Sequence, residues 1–142
     1  MNAFVREFAV AAPPDRVWTI MRDVERWSEW TRSVTSIRVV GGGELRVGAR
    51  AWVRQPKFPP ALWVATEFDD ARRSFTWVNR APGLLVTAQH SVAPSGAGSR
   101  ARLSLRYDGL FGPLLARMTR GITERYLDME AVGLTACSEA AR

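Results

Sequence analysis

Cysteine and histidine are almost missing from this chain. A single cysteine, Cys137, excludes an intramolecular disulfide and any multi-cysteine zinc or iron–sulfur site, and a single histidine, His90, excludes a histidine-rich metal centre. No carboxylate pair stands at ligand spacing beside His90, so neither a metal nor a cofactor is expected. Lysine is nearly absent as well: of 20 basic residues only Lys57 is lysine, and the other 19 are arginine. With abundant alanine, that bias is what a GC-rich, bacterial genome produces. The net charge of +6 and the sequence pI near 10.9 would suit a nucleic-acid binder. The arginines are scattered instead of massed in one basic run, so nucleic acid is not expected as a partner. Nothing reaches the roughly 18 consecutive apolar residues of a membrane span. Arg6 and Glu7 interrupt the apolar start Phe4-Val5, so no signal peptide is read and a cytoplasmic location is expected. Gly41-Gly42-Gly43 lacks the following lysine and Ser/Thr of a phosphate loop, and no G-x-S-x-G elbow exists to arm a serine.

What is present is a clear alternation of periods. At 142 residues the chain suits one domain, residues 1–142, with a core that needs no staples. Phe4 to Val10 alternates as a half-buried strand, and Ala11-Ala12-Pro13-Pro14 ends it. Pro14-Asp15 opens a short helix, and Asp23 caps a second one running to about Trp30. From Ser33 the period switches to two. Strands are expected over Val34–Val40, Gly48–Gln55, Leu62–Phe68, Ser74–Arg80, Leu85–Val92 and Arg100–Tyr107. Every connection is short enough for a hairpin, so the sheet should be an antiparallel meander.

Gly112-Pro113 then starts the longest helical pattern, reaching about Cys137. Read as one rod it is roughly 36 Å long, enough to cross a small domain. Stepping 100° per residue gathers Leu114, Leu115, Met118, Ile122, Tyr126, Met129, Gly133 and Ala136 into one arc, with Arg125 inside it. Leu127 and Leu134 fall outside the arc and suggest a second contact, on the short helices or on another subunit. Monomer and homodimer are both open. The order is strand, two short helices, six strands, long helix: an α+β fold in which sequential hairpins curve a twisted sheet around the terminal helix.

The run Ala12–Trp30 (APPDRVWTIMRDVERWSEW) resembles the opening signature of the polyketide cyclase/dehydrase-like branch of the START-related superfamily. Val47-Gly48, Gln55-Pro56, Phe75-Thr76-Trp77, Pro82-Gly83 and His90 fall where relatives carry similar residues, so the likeness covers nearly the whole chain. The resemblance implies a helix-grip architecture, a curved seven-stranded antiparallel sheet wrapped around the long C-terminal helix. It also implies an internal cavity in which relatives bind hydrophobic small molecules, lipids, hormones or polyketides. Some relatives are cyclases or dehydratases, and no single catalytic motif of the family can be laid over this sequence.

The candidate residues follow from those faces. His90 shares a strand face with Ala88 and Val92, so it points inward as a ligand contact, a general acid/base or a satisfied core histidine. Trp63, Phe75 and Trp77, with Met118, Ile122 and Met129 from the helix, make an aromatic and thioether lining or simply fill the core. Arg125 could pin an anionic ligand group, or snorkel. Tyr107 and Tyr126 bring hydroxyls to apolar faces, and Gln55 shares a face with Ala51 and Val53. The expected function is binding or carriage of a hydrophobic, aromatic or polyketide-like molecule. The alternatives are a cyclase or dehydratase using His90 with Tyr107, Tyr126 or Arg125, and a protein-interaction module using the outer face of Arg50, Trp52 and Arg54.

Overall fold

In the computed structural model, which describes residues 2–140, seven strands form one antiparallel sheet. They are β1 (Ala3–Val10), β2 (Ser36–Val39), β3 (Arg50–Arg54), β4 (Ala61–Asp69), β5 (Ser74–Ala81), β6 (Leu84–Ser95) and β7 (Gly98–Asp108). The spatial order β1-β7-β6-β5-β4-β3-β2 is a meander whose first strand closes against the last. Helix α1 (Pro14–Arg22) and a 3₁₀ helix (Val24–Glu29) follow β1, and α2 (Gly112–Met118) and α3 (Arg120–Ala140) follow β7. The helix-grip expectation describes this arrangement.

Alternation decides which side of each strand is the core. Phe4 pairs with Leu105, Leu103 with His90, His90 with Phe75, and Trp77 with Ala65, so these side chains share the concave face. Ala51 pairs with Trp63, which extends the same face to β3. Arg50, Trp52 and Arg54 stand on the opposite, exposed side. Strands β6 and β7 run further than their apolar alternation, because Ser95 pairs with Gly98 and leaves only Gly96-Ala97 as the hairpin turn. Pro94 lies beyond the last β5 pair, where a missing N–H removes no bond to that strand.

The C-terminal helix departs from the single rod. It is interrupted at Thr119, where the backbone leaves helical geometry at φ −102° and ψ 9° while its amide and its hydroxyl both donate to the Leu115 carbonyl, at 2.9 and 2.6 Å. The interruption rephases the apolar pattern. The buried residues of α3 are Thr123, Tyr126, Leu127, Glu130, Leu134 and Ser138. Leu127 and Leu134, expected outside the main face, are at its centre, whereas Leu114, Met118 and Ala136 are exposed. An arc drawn from hydrophobicity missed this because three of the six buried positions are polar.

Two contacts seat α3 on the first strand and its turn. The Arg6 guanidinium donates from Nε to Asp128 Oδ1 at 2.6 Å, and the Ala11 amide donates to Glu139 Oε2 at 2.8 Å. Both are partly solvated, so they orient the helix more than they stabilise it. The stabilisation comes from the apolar core, in which Val17, Met21, Leu134 and Phe75 are essentially inaccessible.

Candidate functional site

The concave face is built from alternate residues of neighbouring strands from β1 through β7, β6, β5 and β4 to β3, and its centre is aromatic. His90 on β6 stacks flat on its cross-strand partner Phe75, with ring centroids 4.2 Å apart and an interplanar angle of 9°. Trp27 from the 3₁₀ helix meets His90 edge-on at 5.4 Å, and Trp77 does so at 6.1 Å. Trp77 also touches Trp63 at 5.8 Å and Trp27 at 5.9 Å. Cross-strand register therefore brings Trp63, Phe75, Trp77 and His90 together, and Trp27 joins them from the helical side. Trp27 is held by donating its indole N–H to the Met21 carbonyl at 2.9 Å.

Burial fixes the charge state of His90. Removal from water pushes its pKa down to about 3, with a backbone hydrogen bond at Phe75 acting in the opposite direction. The ring is neutral throughout the physiological range, and its Nδ1 is buried with no hydrogen-bond partner among the described residues.

A second buried polar set was not anticipated. Ser33 Oγ donates to Glu130 Oε2 at 2.9 Å and lies 2.9 Å from Thr31 Oγ1, which also accepts from the Ser33 amide at 3.2 Å. Desolvation raises the Glu130 pKa to about 7, and the Ser33 bond works against that rise. The signal for Glu130 was its spacing: it stands seven residues after Thr123, three after Leu127 and four before Leu134, on the buried helix stripe. A charged residue type hid it.

Both tyrosines are anchored. Tyr107 Oη shares a hydrogen bond with Thr123 Oγ1 at 3.2 Å and lies 3.4 Å from Thr119 Oγ1, tying β7 to the helix interruption. Tyr126 donates to the Pro56 carbonyl and packs edge-on against Phe58, with centroids 5.9 Å apart. It thus fastens the β3–β4 loop to α3, and Gln55 sits half-buried at the start of that loop. Trp63, Ile122 and Met129 are half-buried. Arg125 and Met118 are exposed, and Met118 is 70% accessible. Register does not bring these two to the aromatic centre.

Depressions in the described surface lie beside the short helices and along α3. One of about 280 Å³ lies between α1, the 3₁₀ helix and the β2–β3 loop, lined by Arg22, Asp23, Glu25, Leu45 and Phe68 among others. Another, of about 380 Å³, runs along α3 between Trp30, Arg32, Arg125, Met129, Val132 and Gly133. Neither includes Trp63, Trp77 or His90. Among the described residues no three His, Cys, Asp or Glu side chains gather where they could hold a metal ion, and no helix is long and apolar enough to cross a membrane.

Several solved structures share this architecture. A protein of Thermus thermophilus superposes with a TM-score of 0.78 at 21% identity, over 97% of both chains. A hypothetical protein of Helicobacter pylori gives 0.82 at 20% identity, covering 96% of this chain and 88% of its own. Truncated norcoclaurine synthase from Thalictrum flavum gives 0.76 at 16% identity, over 99% of this chain and 94% of its own. At these identities the likeness is one of fold. No protein with a curated description matches the sequence. The sequence itself matches, over residues 1–136, the family described as polyketide cyclase / dehydrase and lipid transport. With nearly its whole length inside that match and the helix-grip sheet around its terminal helix, the chain belongs to the polyketide cyclase / dehydrase and lipid transport family.

Proposed function

We propose that this protein binds a flat hydrophobic small molecule at the open end of the concave face, between α3 and strands β3 to β5. One observation carries the reading. On a face where Phe75 is 1%, Trp77 4% and His90 5% accessible, Trp63 beside them is only half-buried. It lies at the end where Tyr126 fastens the β3–β4 loop. An indole left partly open next to a second indole is a surface on which an aromatic or polyketide-like body stacks. Gln55 supplies an amide at that end, Ile122 and Met129 supply adaptable apolar atoms, and the unpartnered Nδ1 of His90 is the polar group deeper in. The family's description, which names polyketides and lipids, supports a hydrophobic ligand.

Binding is favoured over acid–base catalysis by the state of His90. A base of pKa about 3, stacked between aromatic rings, is too weak to take up a proton near neutral pH. A ligand burying about 200 Å² of apolar surface would gain about 5 kcal/mol before association costs, equivalent to a Kd of about 0.2 mM, so this burial alone supports sub-millimolar binding at best.

The test uses pyrene as a neutral flat probe, with tryptophan quenching as the signal and native mass spectrometry of freshly purified protein alongside. Trp63→Ala should weaken pyrene binding by about tenfold, the value of one aromatic contact face. Native protein that carries no small molecule and quenches with no member of a hydrophobic panel would sink the binding reading. If instead a ring closure is found and His90→Gln abolishes kcat at unchanged KM, the enzyme reading replaces it.

A further inference from the structure

Helix α2 packs only Leu115, half-buried, of its three large apolar side chains on the core. It buries Gly112 and Ala116 and turns Leu114 and Met118 to water, at 54% and 70% exposure. Leu110 and Phe111, just before it, are 82% and 47% exposed. Packing alone would select the opposite distribution, because the two small buried residues contribute little apolar area and the large exposed ones leave theirs uncovered. The close approach is built in: a side chain at Gly112 would run into the Tyr107 carbonyl, 2.8 Å from its Cβ. The Phe111 ring lies over Gly83, and its amide donates to the Gly83 carbonyl at 2.9 Å, so the patch continues onto the β5–β6 turn.

The meander places basic residues around this patch. Strands β3, β5 and β7 run in one direction, so the β3–β4 loop, the β5–β6 turn and the β7–α2 link share one end of the sheet. Arg54, Lys57, Arg80 and Arg117 belong to that end, are exposed, and make no ion pair among the described residues. Its two carboxylates are already engaged, Asp108 with Arg106 at 2.6 Å and Glu124 with Arg120 at 3.5 Å.

We propose that this end of the molecule seats on an anionic lipid surface. Leu110, Phe111, Leu114 and Met118 enter the headgroup layer, and the four unpaired cations lie against the phosphates. A bilayer interface satisfies both halves of the surface at once. A second copy of this chain does not, because its own unpaired cations would face these across the contact. The proposal goes beyond ligand binding and is read separately from it.

The experiment is co-sedimentation of the full chain with phosphatidylcholine vesicles, plain or containing about 30% phosphatidylglycerol, at low ionic strength. Binding to the anionic vesicles should be at least about tenfold tighter, and should fall at about 0.5 M salt, where screening shortens the reach of the cations to a few ångströms. The double variant Leu110→Ser/Leu114→Ser should weaken it by at least about tenfold. Arg80→Gln/Arg117→Gln should cost about as much, at roughly fivefold per cation. All four positions are solvent-facing, so the near-UV circular dichroism and pyrene binding of these variants should stay native. Equal sedimentation with both vesicle types, or none with either, overturns the proposal. So does a salt-resistant dimer on size exclusion that the leucine variant dissociates.

Discussion

Replacing Glu130 with glutamine is expected to stabilise the folded chain by about 2 kcal/mol at about pH 8 and to change little at about pH 4. The sign follows from the direction of the shift. Burial raises the carboxyl from 4.5 in the unfolded chain to about 7 in the folded one, so between these values the native state holds a proton that the unfolded state has lost. Stability therefore falls as pH rises through that window, by about 3 kcal/mol at most, and stays reduced above it. Glutamine keeps the shape and a hydrogen bond to Ser33 but cannot ionise. It loses the charge-assisted part of that bond, which trims the gain to about 2 kcal/mol.

His90 supplies the opposite limb. Its folded-state pKa is depressed from 6.5 to about 3, so the unfolded chain binds the extra proton. The stability this contributes is complete above about pH 6.5 and is lost progressively towards pH 3, by about 5 kcal/mol at most. The two slopes cancel where they overlap, which predicts a plateau between roughly pH 4.5 and 6.5 with a fall on either side. Urea midpoints across pH measure it. His90→Phe should flatten the acid limb and Glu130→Gln the alkaline one. A Glu130→Gln gain that is the same at every pH would mean that the carboxyl does not titrate in the core.

A methyl group at Gly133 is expected to cost about 3 kcal/mol or more. The Trp30 carbonyl lies directly against this turn of α3, and an added Cβ would stand 3.0 Å from its carbon and closer still to its oxygen. A backbone carbonyl cannot rotate away as a side chain could, so the helix would have to lift from the segment that also carries Thr31 and Ser33. Gly121 on the same helix is the internal control. A Cβ there meets nothing, and its φ is not in the left-handed region. Gly121→Ala should therefore stabilise by about 0.5–1 kcal/mol through helix propensity and reduced unfolded-state freedom. Thermal or denaturant melts of the pair separate steric from propensity effects. Equal shifts would show that Trp30 does not crowd the helix.

The architecture was readable because its information is local and periodic. Alternation marked each strand from Phe4 to Tyr107, and short Gly- and Pro-containing links allowed only a meander. The side on which Trp63, Phe75, Trp77 and His90 fall followed from the same period of two, and the register confirms that they share it. The family likeness rested on Ala12–Trp30, and the match over residues 1–136 extends it to nearly the whole chain. The helical half was less readable. Apolar arcs assume an unbroken 3.6-residue repeat, and the backbone departs from it at Thr119.

By itself, then, the sequence determined the hairpin succession of the strands after the short helices, the concave face and the absence of a disulfide framework, because these depend on residue type at fixed short spacing. Only the tertiary structure decided that Glu130 and His90 lose their water, that Tyr126 fastens the β3–β4 loop, and that α2 shows its leucine and methionine to solvent. Burial depends on which distant segments arrive to cover a side chain. Ser33 reaches Glu130 across 97 residues, and Pro56 meets Tyr126 across 70. No local period carries that distance.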